Sequence, residues 1–313
     1  MSEIGAPRGG FDPGSLEGNP ARIRRERIVH RLFLAAAALS LVISALIVLS
    51  LIGEAFAFLR EIDIGSLTDD GWFPRRGRFD IATIVAGTVL VAGLGMIVAT
   101  PLGIGAAVYL SEYASPRVRK TLKPVLEILA GIPSVVLGFF ALTFISPQFI
   151  ANVCSRSTIF NMGAAGIAVG VLITPLVASI AEDAMRAVPA SLREASYGMG
   201  ARKRTTTLKV VLPASISGVV AALIVALSRA IGETMVVAIA AGATGGSLFS
   251  LNPCQPGQTM TAAMTALAIG SDRVRGVDGS FQSLFFVGLL LFLMTLALNM
   301  ASERFVGRVR ERY

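Results

Sequence analysis

The chain has 313 residues, 54% of them hydrophobic and 15% charged, with a net charge of +8. Soluble domains carry about 25% charged residues, and a soluble fold of this length could not hide so much apolar surface, whereas lipid acts as its solvent in a membrane. One histidine, His30, and two cysteines without a CxxC pair exclude zinc, iron–sulfur and Ser/His/Asp chemistry. The basic residues sit at the ends of apolar segments, which reads as membrane topology and excludes nucleic acid as a partner.

Residues 1–30 form an N-terminal tail rich in Gly and Pro near its start, expected to be disordered and not a cleavable signal, because the first apolar run begins only near Leu32. That run, Leu32 to Leu59, exceeds the roughly 20 residues needed to span a bilayer. Further spans are expected at Ile81 to Leu110, Leu122 to Ile145, Met162 to Ile180, Ile216 to Ala241 and Leu284 to Ala301. Pro101, Pro133 and Pro175 fall inside them, as membrane helices with close neighbours allow. Met260 to Ile269 is apolar but too short to cross. The expectation is an all-α polytopic fold of about six transmembrane helices. It comprises a transmembrane domain at 31–305 and a short C-terminal tail at 306–313.

Orientation follows from the basic residues. With a cytoplasmic N-terminus, twenty arginines and lysines lie on the inner side and six in the outer loops, Arg60 at the very end of the first span not counted. Both termini are therefore expected in the cytoplasm. Cys154 and Cys254 then both fall in outer loops, where an oxidising compartment permits a disulfide; two unpaired thiols are the alternative.

Two stretches carry functional information. The first is the loop SLREASYGMGARKRTTTLKVVLPASISG, residues 191–218. It reads as a short amphipathic helix, a turn at Gly198 and Gly200, and a basic helix leading to Pro213. Such a helix–turn–helix is a docking element, although an ordinary basic loop has the same composition. The second is Arg229-Ala230-Ile231-Gly232-Glu233-Thr234 inside the fifth apolar segment. On a continuous helix Arg229 and Glu233 share a face. Ionisable groups in a bilayer are costly and mark a pathway or a partner. The pair reads either as an anion contact with a guanidinium suited to oxyanions or as an ion pair that glues helices.

Glu194, Ala195, Gly200, Val210, Leu212 and Pro213 match the EAA loop of ABC importer permeases, with Ser196 in place of the second alanine and Val210 in place of isoleucine. RAIGET, Gly71-Trp72-Phe73-Pro74, PLGIGAAVYLSEYA at 101–114 and LKPVLEILAGIPSVVLGFFAL at 122–142 add to this. Over residues 30–305 the chain resembles phosphate ABC-transporter permeases of the PstC type, with the similar PstA type as the near alternative. The resemblance implies a type I, MetI-like permease fold in the bacterial inner membrane and transport by alternating access. It implies that the EAA region at 191–213 is a coupling helix for an ATPase, with Glu194, Ala195, Gly200, Leu212 and Pro213 as its marker residues. It also implies a substrate path through Arg229, Glu233 and Thr234. The implied partners are a second permease of the PstA type, two ATP-binding subunits and an extracytoplasmic phosphate-binding protein, with lipid around them. No G-x-x-x-x-G-K-[ST] phosphate loop occurs in the chain, so ATP hydrolysis is expected in another polypeptide and no cofactor or catalytic residue in this one. A permease for sulfate or molybdate, and a non-transporting membrane scaffold, remain as rival readings. Glu112, Glu127 and Glu182 read as solvated or capping residues, and the ten methionines as packing.

Overall fold

The computed structural model describes residues 20–68, 70–242, 245–270 and 279–309. Two compact units meet after Ser50. In the first, the described residues belong to helix α1 (Pro20–Glu61), with Leu32, Phe33, Leu41 and Leu46 exposed, as a lipid-facing span requires. The helix starts inside the stretch expected as a disordered tail. Pro20 is tolerated in a first turn, and the Arg- and Ile-containing run after it favours helix. Residues 1–19 lie outside the described residues.

In the second unit a small hairpin, β1 (Trp72–Phe73) and β2 (Arg78–Phe79), pairs Trp72 with Phe79 antiparallel. Asp80 accepts the N–H of Ala82 and so caps α2 (Ile81–Val108), which ends in a wide turn at Tyr109–Tyr113. Next come α3 (Pro116–Ala130), α4 (Ser134–Phe140), a run of wide turns at Ala141–Ile150 and α5 (Ala151–Val153). The long α6 (Met162–Arg186) is followed by α7 (Ala190–Gly198), α8 (Lys203–Thr206) and α9 (Leu212–Ala214). The chain closes with α10 (Ile216–Ile231), α11 (Met235–Ala240), α12 (Met260–Ala268) and α13 (Ser283–Val309). Among the described residues five helices are long and apolar enough to span, or six if the pair Lys203–Ala214 and Ile216–Ile231, bent by 69°, counts as one.

Two expected spans are corrected. The segment 122–145 is not one helix. Gly131 and Pro133 divide α3 from a span at Ser134–Val153, because proline lacks an N–H and disfavours helix in the residue before it. The segment 216–241 breaks between Ile231 and Met235, where Gly232, a poor helix former, ends α10. The last helix is longer than expected and runs through Val309, into the stretch assigned to the C-terminal tail.

The core is the α2–α6 pair. A Cβ on Gly166 would lie 2.6 Å from Leu94 Cβ, one on Gly170 2.7 Å from Val98 Cβ, and one on Gly103 2.7 Å from Val177 Cβ. Without hydrophobic drive between helices in lipid, such close approach supplies the packing, and the seam makes the two helices one plank. Val91, Ala99, Val169, Ile173 and Val177 are buried along it.

Candidate functional site

The loop between α6 and α10 has the helix–turn–helix form expected of 191–213. Gly200 has φ +78°. Its N–H donates to Tyr197 O at 2.9 Å and the Ala201 N–H donates to Ser196 O at 3.1 Å. This is the Schellman closure of a helix, which favours glycine at its left-handed position. A Cβ there would meet nothing within 4 Å, so the requirement is backbone conformation rather than space. Glu194, Ala195, Tyr197 and Met199 are exposed, Met199 at 89%. Leu212 packs against the cluster of Met185, Val211 and Val219, while Pro213 is exposed. Ser196 Oγ and Thr206 Oγ1 stand 2.9 Å apart and tie α7 to α8.

Ion pairs attach this end of the molecule to the plank. Arg193, on α7, sits 3.0 Å from Glu112 Oε1 at the end of α2, and the Glu112 side chain is only 4% exposed. Glu182, on α6, has no exposed side-chain surface and accepts from Arg119 Nε at 2.7 Å. Lys123 Nζ stands 3.0 Å from its Oε2, at ion-pair distance but without hydrogen-bond alignment, and donates to Asp183 Oδ1 at 2.7 Å. The hydrogen bond to Asp183 and the nearby Glu182 carboxylate outweigh burial and hold the Lys123 ammonium above the usual lysine range. Glu112 and Glu182 are thus buried and paired, not solvated, whereas Glu127 is exposed. The i, i+4 spacing of Arg119 and Lys123 was the signal for this: it puts two cations on one face of α3.

Arg229 lies in the last turn of α10 and is exposed, and among the described residues it has no ion pair. Glu233 does not share its helix face. The break at Gly232 turns Glu233 inward to 6% exposure, where Oε1 accepts the Val236 N–H at 3.4 Å and its carbonyl accepts the Thr261 hydroxyl at 2.8 Å. Thr234 precedes α11 and donates its hydroxyl to Gly232 O at 3.2 Å. The motif therefore places a free guanidinium beside a break whose carboxylate serves α11.

At the far end of the plank a disulfide joins Cys154, just after α5, to Cys254, in the loop before α12, with Cα atoms 6.0 Å apart. The same loop accepts from the first turn of α6: Met162 N–H donates to Gln255 O at 3.0 Å and Gly163 N–H to Pro253 O at 2.7 Å. Beside it opens a cavity of about 430 Å³ lined by Phe73, Leu248, Phe249, Gln255 and Pro256, which contains none of Arg229, Glu233 or Thr234.

The bundle, built on a glycine-packed helix pair with a helix–turn–helix between α6 and α10, has the fold of ABC importer membrane chains. It is similar to an alginate importer chain (TM-score 0.64, 14% identity, covering 93% of this chain and 99% of that one) and to the inward-facing MetNI methionine ABC transporter (TM-score 0.52, 21% identity, 72% and 92%). Residues 99–312 match the binding-protein-dependent transport system inner membrane component family, and the chain belongs to that family. Among its relatives are a probable ABC transporter permease protein, YqgH, of Bacillus subtilis (32% identical, covering 86% of this chain and 87% of that one) and a phosphate transport system permease protein PstC of Mesorhizobium japonicum (28%, 96% and 97%). PstC 1 of Mycobacterium tuberculosis is 31% identical, with 78% and 77% covered.

Proposed function

We propose that this chain is the PstC-type permease subunit of an ATP-driven phosphate importer, and that Arg229 is its anion contact. The observation that carries the mechanism is the exposed guanidinium at the end of α10, without a counter-ion among the described residues, within a chain otherwise poor in membrane charge. An arginine cannot lose its proton there, so it attracts an oxyanion at every working pH, and bidentate geometry suits phosphate. The relatives named as phosphate permeases, one aligned over 96% of this chain, support the choice of substrate. Conduction also requires release. Glu233, buried behind the break, keeps negative charge near the path without neutralising Arg229, and Thr234 adds a hydroxyl to it.

The rest of the assembly follows from the same reading. Both termini lie in the cytoplasm, the α7–α9 loop docks on one of two ATP-binding subunits, and a PstA-type permease completes the path. A phosphate-binding protein delivers substrate at the disulfide end, and a disulfide is compatible with an oxidising outer compartment. ATP is hydrolysed by the partner and this chain performs no covalent chemistry.

Radiolabelled phosphate uptake in a strain lacking the gene tests the reading. The wild-type chain restores uptake and Arg229→Gln abolishes it without loss of membrane insertion or complex assembly. Because Glu233 is not the partner of Arg229, adding Glu233→Gln does not bring uptake back. Recovery in that double variant, or restored sulfate or molybdate uptake in place of phosphate, overturns the proposal.

A further inference from the structure

We infer that Arg193 is the positioning residue through which the coupling helix moves the α2–α6 plank. Its guanidinium holds three acceptors from two elements at once. Nη1 donates to Val188 O at 2.6 Å, and Nη2 donates to Met185 O at 2.8 Å and to Glu112 Oε1 at 3.0 Å. Met185 and Val188 are at and just past the C-terminal end of α6, where carbonyls lack helical partners and favour a cation. Glu112 lies in the wide turn that ends α2, and its Oε1 also accepts from Ser111 Oγ at 3.0 Å. One side chain of α7 thus grips the ends of both helices of the glycine seam.

The chemistry of the grip explains why it is an arginine. A planar fork with five donors meets three fixed acceptors with its orientation set, whereas a lysine offers a point charge on a flexible stem. The site is mostly closed, with the Arg193 side chain 20% exposed and Glu112 4% exposed, so water competes little for these bonds. Among the described residues the other side-chain hydrogen bond of α7, between Ser196 and Thr206, stays within the loop itself. A displacement of α7 therefore reaches the plank through Arg193, through the short connection 187–189, through Lys203 of α8, whose ammonium lies 5.1 Å over the Tyr113 ring at the end of α2, and through apolar contacts such as Leu192 against the Met185 and Val188 cluster; Arg193 alone grips the ends of both helices by hydrogen bonds among the described residues.

This inference rests on the reading of 191–213 as the ATPase coupling loop, and one experiment separates the two. The complete complex is reconstituted in liposomes with binding protein, and phosphate uptake is measured per ATP hydrolysed. Arg193→Gln is expected to lower that ratio about tenfold while ATP hydrolysis continues. Glu112→Gln leaves both carbonyl bonds in place and lowers it less, and Arg193→Lys recovers part of it. The paired replacement Arg193→Cys/Glu112→Cys is uncoupled, and a flexible bis-methanethiosulfonate bridge restores the ratio. The native cysteines are bonded to each other and do not compete. An unchanged ratio in Arg193→Gln overturns the inference, as does proportional loss of uptake and hydrolysis with no recovery on bridging, which is the mark of a merely structural residue. In a parallel arm Met199→Cys, on the exposed tip of the loop, is expected to cross-link to the ATP-binding subunit. Absence of that cross-link overturns the coupling-loop reading and this inference with it, whereas a cross-link with an unchanged Arg193→Gln ratio overturns this inference alone.

Discussion

Helix α6 is held differently at its two ends. At its N-terminus the restraints are covalent and backbone-based: the Cys154–Cys254 disulfide fixes the loop whose carbonyls accept from Met162 and Gly163, and Asn161 caps the helix by accepting the Ala164 N–H at 2.7 Å. At its C-terminus the restraints are ionic side chains from other elements: Arg119 and Lys123 of α3 on Glu182 and Asp183, and Arg193 of α7 on Met185 O. Covalent and backbone restraints have one geometry. Side-chain ion pairs can exchange one set of partners for another, although parting without a new partner is costly where the carboxylate is buried, as at Glu182. One helix therefore joins an end held covalently to an end held by side-chain ion pairs, an asymmetry that suits the proposed coupling to an ATPase on one side of the membrane.

The largest test of that contrast is to strip the ionic end. Arg119→Met/Lys123→Met leaves the Glu182 carboxylate buried without a counter-ion, which costs about 3–5 kcal/mol. Hydrogen exchange is expected to rise through α3 and the last turns of α6 and to stay unchanged in the disulfide loop. Adding Glu182→Leu removes the stranded charge and recovers most of the loss. Equal loosening at both ends would show that they are not independent.

The converse change is next in size. Cys154→Ser/Cys254→Ser opens a closure spanning 100 residues of sequence and is expected to lower stability by about 2–4 kcal/mol. Exchange should then rise around 250–258 and the first turn of α6, with α3 unaffected. Mass spectrometry of the native protein under non-reducing conditions checks the premise: two alkylatable thiols in the wild-type chain would remove it.

Much of this architecture is legible in the sequence, and the parts that are not share a cause. Apolar run length gives the spans at 81–108 and 162–186, and the left-handed turn at Gly200 is readable because the glycine follows a short amphipathic pattern. The boundaries fail where a breaker competes with hydropathy. Residues 122–145 are apolar enough to look like one span, yet Gly131 and Pro133 divide them, and Arg119 and Lys123 of α3 pair with Glu182 and Asp183. At 229–233 the i, i+4 spacing predicts a shared face, and Gly232 removes the helix that the spacing assumes. Arg193 and Glu112 lie 81 residues apart in sequence. No local period reports a pair at that separation, so the grip on the plank becomes visible only once the chain is folded.

The smallest expected effect concerns the charge state of that ionic end. Lys123 is held above the usual lysine range, first by its hydrogen bond to Asp183 and then by Glu182, against the opposing effect of burial. A lysine raised on folding contributes stability that is present in full below its unfolded value of about 10.4 and is lost as pH rises through the folded value. The side chain is 26% exposed and its Asp183 partner 62%, so solvent screening keeps the contribution to about 1 kcal/mol or less. The thermal midpoint of the wild-type complex in detergent, minus that of Lys123→Met, is therefore expected to stay constant from pH 6 to 9 and to shrink only above about pH 10.4. Lys123→Arg, whose charge persists to higher pH, should hold the difference where lysine loses it. A difference that changes between pH 6 and 9 would mean that a group other than Lys123 controls the ionic end.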